Sequence, residues 1–297
     1  MSETGLETPV ALMIFNRPQT TAQVFERVRR ARPRRLLIAA DGPRAGNPDD
    51  EHGCAAARGI VSDVDWPCEV TTEFSSSNLG CRTRLSSGLD WVFGLVDSAI
   101  VLEDDCLPHP SFFSYCEQLL DHYADEDRVM HVSGDNFSSI GRRGPRWRLS
   151  RPSYYFSRYP HVWGWASWRR AWAAYDVDMR TWRDPATRDR VLAGFEDPGE
   201  RDFWETTWGD TAAGRVDTWD YQWVFACIER GGLSAMPRRN LVSNIGFGEG
   251  ARHTVGKSPL ADLPTAEIES PLRHPGEIAR DRRADAHSAS LFFGASG

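Results

Sequence analysis

Short strand-like runs alternate with helical patterns along the first half of the sequence. The runs fall at 10–15, 36–40, 69–74 and 99–102, and the segments between them place apolar residues at helical spacing. A strand that is followed by a helix and then by another strand usually pairs in parallel with its neighbour. The alternation therefore predicts an α/β fold with a mainly parallel central sheet flanked by helices.

The fourth run ends in three consecutive acids. Residues 99–102 are continuously apolar, as in a strand buried on both faces of a parallel sheet, and Glu103, Asp104 and Asp105 follow directly. Open α/β sheets bind ligands outside the carboxyl ends of their strands. Carboxylates together with the oxygens of a nucleotide diphosphate suit Mg²⁺ or Mn²⁺. We expect Asp105 to bind the metal; the alternative is a helix start whose acids complement the helix dipole.

Composition and charge limit the kinds of binding partner and the location that we expect. The net charge of −7 argues against a nucleic-acid partner and favours a small-molecule substrate. The basic stretch from Arg142 to Arg151 is either a contact for an anionic acceptor or a solvated loop. The six cysteines show no metal-binding spacing, and we interpret them as reduced thiols. No signal peptide or membrane span is evident, so we predict a cytoplasmic protein.

The second half of the sequence is rich in aromatic residues. Ten of the twelve Trp residues lie between Trp147 and Trp223, which suits recognition of a sugar or another ring-bearing acceptor, although core packing is the alternative for most of them. Asp135 and Asn136, after a strand-like run, are either contacts for the sugar or the acceptor or a simple turn. From about residue 262 the sequence loses its periodicity, and we expect a flexible or loosely docked tail.

Seven segments together carry a resemblance to a known group. They are PVALMIFNRP at 9–18, AADGPR at 39–44, NLGCRTRLSSGLDWVF at 78–93, VLEDDCLPHPSFFSYC at 101–116, HVWGWASWRRAW at 161–172, WDYQW at 219–223 and NIGFGEGARHT at 244–254. The chain resembles GT-A glycosyltransferases, in particular bacterial haemolysin HlpA-like sugar transferases, and more distantly N-acetylglucosaminyltransferase I. The resemblance implies one GT-A domain over 1–297, with a nucleotide-binding half at 9–108, an acceptor-binding half at 109–261 and a tail at 262–297.

The resemblance also implies roles for individual residues. Asp220 corresponds to a general base, and an Asp between aromatic residues can be desolvated in a way that favours proton acceptance; the alternative is a helix cap. The metal ligands would be Asp105 and, less typically of the group, His253. Residues expected to contact the nucleotide or donor sugar are Phe15, Asn16, Arg17, Asp41, Arg82, Glu103, Asp104, Trp163, Gly164, Trp165, Gly248 and Arg252. For Arg17 and Arg82 the alternative is a surface salt bridge, and for Asp41 it is a turn.

The implied reaction is transfer of a sugar from a nucleoside-diphosphate sugar to an acceptor hydroxyl. The donor would be a UDP-linked hexose or N-acetylhexosamine, the metal Mn²⁺ or Mg²⁺, and the outcome inversion of configuration. One rival is a sugar-phosphate nucleotidyltransferase, which normally carries a Gly-rich basic loop where this sequence has FNRP. A second rival is a non-catalytic carbohydrate-binding protein. The acceptor and the oligomeric state stay open.

Overall fold

An eight-stranded sheet forms the centre of the computed structural model, which describes residues 5–137, 151–247 and 260–293. The strand order is β3-β2-β1-β4-β8-β6-β9-β7, and β10 and β5 form a separate antiparallel pair. The strands are β1 Val10–Ile14, β2 Arg35–Ala40, β3 Glu69–Phe74, β4 Ser98–Glu103, β5 Cys106–Pro108, β6 Val129–Ser133, β7 Tyr154–Ser157, β8 Trp165–Trp168, β9 Leu233–Pro237 and β10 Val242–Asn244.

Helices cover both faces of this sheet. None of those in the described stretches is long and apolar enough to cross a membrane. The helices are α1 Pro18–Ala31, α2 Pro48–Val61, α3 Gly80–Leu95, α4 Pro110–His122, α5 Arg169–Trp172, α6 Pro185–Leu192, α7 Pro198–Ala212, α8 Asp220–Glu229 and α9 Arg282–Phe292, with a short 3₁₀ turn at Arg180–Arg183.

Strand direction decides which loops meet. Strands β3, β2, β1 and β4 run parallel, β8 runs antiparallel to its neighbours β4 and β6, and β9 runs parallel to β6. The predicted fold class is confirmed: this is an α/β protein with a mainly parallel sheet flanked by helices. Both halves of the chain contribute strands to this one sheet. Because β1, β2, β4 and β6 all run in the same direction, the loops after them emerge at the same edge of the sheet.

The first strand and helix show how the sequence sets this arrangement. All five residues of β1 are buried, because it lies between β2 and β4. Pro18 then starts α1 directly, as its fixed φ suits the first turn of a helix. Thr20 and Gln23 have the spacing of a capping box, but the helix begins earlier. Both side chains donate instead to carbonyl oxygens of the preceding turn, those of Arg17 and Gln19.

The second half of the chain has a core built around a buried histidine. His131 on β6 is fully buried and stacks on Trp165, with ring centroids 5.0 Å apart. Its Nδ1 accepts a hydrogen bond from the Trp223 indole at 3.1 Å, and its Nε2 lies 2.8 Å from the His161 carbonyl oxygen and donates to it. Both nitrogens are therefore satisfied by the neutral ring.

This histidine predicts acid sensitivity of the fold. Burial lowers the pKa of His131 to about 3, whereas an unfolded histidine titrates near its usual 6.5. The unfolded state therefore binds the proton first, so the contribution of His131 is complete above pH 6.5 and falls by about 1.4 kcal/mol per pH unit as the pH drops toward 3. Denaturant unfolding from pH 7.5 to 4.5 should show the free energies of unfolding of the parent and His131→Asn converging. A constant difference would contradict the prediction.

Contacts of α9 attach the C-terminal segment to the rest of the chain. Asp285 on α9 is 1% exposed, accepts a hydrogen bond from Ser157 Oγ at 2.6 Å and pairs with Arg280. Phe293 packs against Trp204 with ring centroids 4.8 Å apart. A buried carboxylate and an aromatic contact therefore hold α9 against the preceding part of the chain.

Candidate active site

A cleft of about 260 Å³ opens at the carboxyl ends of β1, β2 and β4. One wall comes from the ends of these strands, a second from the start of α3, and a third from the segments at 162–163, 218–220 and 244–247. The sheet topology brings these distant segments together, since the parallel strands end at one edge and β8 begins there. The predicted acidic motif lies in this cleft.

The three acids of the motif differ in their surroundings. Asp104 is 6% exposed, and its Oδ2 accepts a hydrogen bond from the Phe15 amide at 3.0 Å, which ties the end of β4 to the loop after β1. Asp105 is partly buried, and its Oδ2 lies 2.6 Å from Arg17 Nη1. Burial by itself would lower the pKa of Arg17, but the carboxylates of Asp104 and Asp105 outweigh it and raise that pKa.

The loop after β10 closes over Asp105 at very short range. Ile245 N donates to the Asp105 carbonyl oxygen at 2.8 Å, and a Cβ added to Gly246 would collide with the Asp105 carboxylate. Gly246 N is held in turn by the Asn244 side chain at 2.9 Å. A glycine is needed here because the backbone approaches the carboxylate too closely for any side chain.

Negative charge is concentrated in the cleft. Burial raises the pKa of Glu103 well above its usual value, and the carboxylates of Asp105, Asp104 and Asp220 raise it further. Asp220, which is 115 residues further along the chain than Asp105, is therefore an electrostatic neighbour of the motif. Such a group of carboxylates is typical of a site that binds a cation or moves a proton.

Asp220 is the first residue of α8, and its two carboxylate oxygens differ in their surroundings. Its Oδ1 accepts hydrogen bonds from Tyr221 N at 2.9 Å and from Thr218 Oγ1, as in a helix start. No hydrogen bond to its Oδ2 comes from the described residues. One oxygen therefore orders the helix start, and the other is available at the cleft, which Asp220 lines.

The residues expected around the nucleotide divide into two groups. Phe15, Arg17 and Asp41 line the cleft. Asn16 does not line it, and its side chain donates to Asp50 Oδ1 at 2.7 Å. Arg82 points elsewhere, with Nη2 at 2.7 Å from the Val177 carbonyl oxygen and 3.2 Å from Asp178.

The Asp41 carboxylate is largely engaged in holding its own loop. Asp41 Oδ1 accepts from Leu79 N at 2.8 Å and Gly42 N at 2.9 Å, and Oδ2 accepts from Asn78 Nδ2 at 2.8 Å. A Cβ on Gly42 would lie 2.5 Å from the Ser77 backbone. Asp41 thus fixes the loop before α3, as expected of a turn residue, and it also lines the cleft.

Sequence reasoning missed Arg84, which lines the cleft two residues after Arg82. Its side chain pairs with Glu73 of β3. Gly88 makes room for it, since a Cβ there would lie 3.0 Å from Arg84 Nη2. Residues four apart share a helix face, so an arginine followed by a glycine at that spacing was the available sequence evidence.

The aromatic residues also separate into cleft and core. Trp163 lines the cleft and packs against Phe247, with ring centroids 5.6 Å apart. Gly164 has φ +64°, and a Cβ there would lie 2.7 Å from Val242 Cγ2. Trp165 is fully buried among Trp219, Trp223 and His131 and does not line the cleft, so for it the packing alternative applies.

The two acceptor candidates after β6 are inaccessible. Asn136 is 3% exposed and bonded to Asn240 and Pro237. Asp135 is 1% exposed, and neither carboxylate oxygen has a hydrogen-bond partner among the described residues; His161 Nδ1 lies 3.5 Å away. Burial raises the pKa of Asp135. Neither residue lines the cleft.

The donor set around Asp105 fits a divalent cation only with help from a substrate. Among the described residues, no group of three or more His, Cys, Asp or Glu side chains is arranged to hold a metal ion. Mg²⁺ typically binds through one or two carboxylates, substrate phosphate oxygens and water, and Asp105 offers such a carboxylate in the cleft. Three predicted site residues lie outside the described residues: Gly248 and Arg252, expected at the donor, and His253, expected at the metal. Most of the basic stretch beginning at Arg142 also lies outside them.

Comparisons with known proteins give limited information. No family model and no curated protein sequence matches the chain. The crystal structure of galactosyltransferase LgtC in complex with donor and acceptor sugar analogs is similar, with 11% identity, coverage of 76% of this chain and 72% of that chain, and a TM-score of 0.35. UDP-glucose pyrophosphorylase complexed with UDP-glucose shows 12% identity, 51% and 62% coverage, and a TM-score of 0.26. Neither likeness is close enough to assign a function, which is therefore argued from the cleft.

Proposed function

We propose that the protein is a glycosyltransferase of the GT-A type that moves a sugar from a nucleoside-diphosphate sugar to an acceptor hydroxyl. The observation that carries this proposal is the meeting of the strand-end acids with Asp220 in one cleft at the carboxyl edge of the sheet. Asp105 lies at the end of β4 and Asp220 at the start of α8, so they come from different walls of the cleft. Such an arrangement provides a diphosphate end and a separate base for the acceptor.

The charge balance of the cleft supports a metal-dependent donor site. Five carboxyl groups, those of Asp41, Glu103, Asp104, Asp105 and Asp220, line it together with the guanidinium groups of Arg17 and Arg84. An anionic diphosphate would be repelled by such a site unless a further cation neutralised part of the charge. We propose that this cation is Mn²⁺ or Mg²⁺ bound by Asp105, where it would stabilise the negative charge on the departing diphosphate.

The residues of the chain then have distinct tasks. Asp220 Oδ2 takes the proton of the acceptor hydroxyl while that oxygen bonds to the anomeric carbon and the bond from the anomeric carbon to the diphosphate oxygen breaks. Attack from the side opposite the leaving group inverts the configuration at the anomeric carbon. Arg17 lies beside the diphosphate end, and Trp163 provides an aromatic wall for the sugar.

The nucleotidyltransferase alternative is less consistent with the loop after β1. Phosphate-binding loops use free backbone N–H groups, whereas the Phe15 amide donates to Asp104 at 3.0 Å. The next residues are Asn16, bonded to Asp50, and Arg17, which is paired with Asp105. The Phe15 amide and the Arg17 side chain are therefore engaged with the acidic motif.

A ligand panel tests the proposed function. We expect UDP, and UDP-hexose or UDP-N-acetylhexosamine, to raise the melting temperature of the protein in the presence of Mn²⁺. When excess EDTA chelates the Mn²⁺, the same ligands should have little effect on the melting temperature. At a free ligand concentration of about 100 times Kd, binding stabilises the native state by about 2.7 kcal/mol. GDP-, dTDP- and CMP-sugars serve as comparisons. If no nucleotide stabilised the protein in the presence of Mn²⁺ or of Mg²⁺, the proposal would fail.

A further inference from the structure

A second groove, of about 510 Å³, lies beside the edge strand β7. The chain segment before α9 runs along this strand and is attached to it at two points. Ser153 N donates to the Arg273 carbonyl oxygen at 2.7 Å, and Asp281 N donates to the Phe156 carbonyl oxygen at 2.8 Å. Residues of the 275–281 segment line one side of the groove, and β7 lines the other. Both walls are thus fixed by backbone hydrogen bonds, and the proposed reaction gives the groove no task.

Arg238 is held in a fixed position in this groove. Its backbone N donates to the Ser153 carbonyl oxygen at 3.0 Å, its Nε donates to the Pro152 carbonyl oxygen at 3.1 Å, and its guanidinium carbon lies 5.3 Å from the centroid of the Tyr155 ring. Neither Nη group hydrogen-bonds to a described residue, and both retain accessible surface. An arginine whose planar group is already ordered loses little freedom when it binds a ligand.

The groove offers hydrogen-bond donors and acceptors side by side. The guanidinium groups of Arg238 and Arg280 line it together with the carboxylates of Glu277 and Asp281. Arginine can only donate and an ionised carboxylate can only accept, so an anionic ligand would meet two carboxylates and a cationic ligand two guanidinium groups. A hydroxyl group donates and accepts, and it can pair with both kinds. With the Tyr155 ring and two prolines as apolar surface, the lining suits a neutral sugar chain.

The groove opens at the same edge of the sheet as the cleft. Strand β9 runs parallel to β6, and β7 runs antiparallel to β9 with Tyr154 opposite Pro237, the last residue of β9. The start of β7 therefore lies at the edge where β4 and β6 end. Four strand spacings separate β4 from β7 in the sheet, so the groove lies about 19 Å from the acidic motif along this edge.

Helix α9 connects the groove with the cleft. Asp281 lines the groove and caps the start of α9, where it accepts from Ala284 N at 3.1 Å. The helix is 11 residues long, or about 16 Å. At its other end Phe292 packs against Phe137 with ring centroids 5.4 Å apart, and Phe137 packs against Trp163 of the cleft at 5.1 Å. These three rings are half-buried, so they form a partly open aromatic surface that leads from α9 to the cleft.

Resting on the proposed function, we propose that the acceptor is a neutral oligosaccharide whose reactive end lies in the cleft while an inner part of its chain binds in the groove beside β7. Arg238 recognises this inner part and donates its Nη groups to sugar oxygens. Sugar hydroxyls donate in turn to Glu277 and Asp281. A chain that reaches both places is held at two points, so it binds more tightly than a short acceptor that reaches only one.

Calorimetric titration of the full chain with linear oligosaccharides tests this inference. The probes are cello-, chito- and malto-oligosaccharides from the disaccharide to the octasaccharide, with oligogalacturonates as the acidic comparison. At least one neutral series should bind with an affinity that rises with chain length. Arg238→Met should weaken binding of the octasaccharide of that series by about 10-fold and leave the affinity for UDP in Mn²⁺ unchanged. Arg283→Met is the matched control, because Arg283 is exposed on α9 and does not line the groove, and it should bind the octasaccharide as the parent does.

The outcomes separate this inference from the proposed function. If the parent binds UDP with metal but no neutral oligosaccharide, or if Arg238→Met keeps the octasaccharide affinity of the parent, the inference is overturned and the glycosyltransferase proposal stands. Binding of the acidic series alone would overturn the neutral class of the acceptor. If oligosaccharides bind and no nucleotide does, the proposed function is overturned, and the assignment of the bound chain as an acceptor is overturned with it. Thermal unfolding shows whether each variant is folded. If Arg238→Met fails to fold, an unchanged octasaccharide affinity in Glu277→Ala, which alters an exposed side chain of the groove, overturns the inference.

Discussion

Asp220→Asn should bind the donor nucleotide as the parent does but transfer sugar about 10²- to 10⁴-fold more slowly, the range by which a positioned general base accelerates proton transfer. The amide keeps an oxygen that can accept from Tyr221 N and Thr218 Oγ1, so the start of α8 is preserved. What is lost is the second carboxylate oxygen, the one that accepts no hydrogen bond from the described residues. The expected change is therefore in kcat, measured by release of the nucleoside diphosphate in the presence of an acceptor.

Asp217→Asn provides a matched control for this prediction. Asp217 is exposed, lies three residues before Asp220 and accepts a hydrogen bond from Arg82 N at 3.3 Å, which an amide oxygen can also accept. We expect its turnover to equal that of the parent. A kcat for Asp220→Asn within a few-fold of the parent would exclude Asp220 as the base, whereas an equal loss of nucleotide affinity would indicate a structural role at the donor end.

The sequence contained enough information for the sheet but less for the site. Strands β1 and β4 were predicted within a residue or two, because a central parallel strand must be apolar along its whole length. The acidic motif follows from β4 directly, so its position at the cleft was predictable. Asp220 could be placed there only through the family resemblance, since no local pattern connects the start of α8 with the end of β4.

The two arginines of α3 show where sequence reasoning stopped. Arg82 and Arg84 are two positions apart in the sequence, and in a helix that spacing directs the two side chains to nearly opposite sides. Choosing between them requires the position of α3 on the sheet, which depends on the close contact of Gly88 with β1 and β2. The resemblance indicated Arg82, which bonds to the 177–178 segment, whereas the packing of α3 brings Arg84 to the cleft.

Asp105→Asn should abolish the metal dependence of nucleotide binding and weaken that binding in Mn²⁺ by at least about 100-fold, because even partners one step removed from a metal change its affinity by 10- to 100-fold. The variant keeps an oxygen that can accept from Arg17, so the loop after β1 should stay in place. Calorimetric titration of UDP with and without Mn²⁺ measures the effect. Asp127→Asn, which changes a side chain that is 94% exposed, is the control and should behave as the parent. Identical metal dependence in Asp105→Asn and the parent would contradict the assignment.

Arg17→Met distinguishes two explanations of how the diphosphate is neutralised. Arg17 Nη1 lies 2.6 Å from Asp105 Oδ2, where a cation bound to that carboxylate would compete with it. If Arg17 balances Asp105 only until metal and donor bind, its removal should lower UDP affinity modestly through the lost phosphate contact and leave the metal dependence intact. If the guanidinium itself neutralises the diphosphate, the parent should bind UDP equally well in Mn²⁺ and in EDTA, and Arg17→Met should lose binding in both. We expect the first result, since the carboxyl groups that line the cleft outnumber its two guanidinium groups and leave an anionic ligand short of positive charge unless a metal accompanies it.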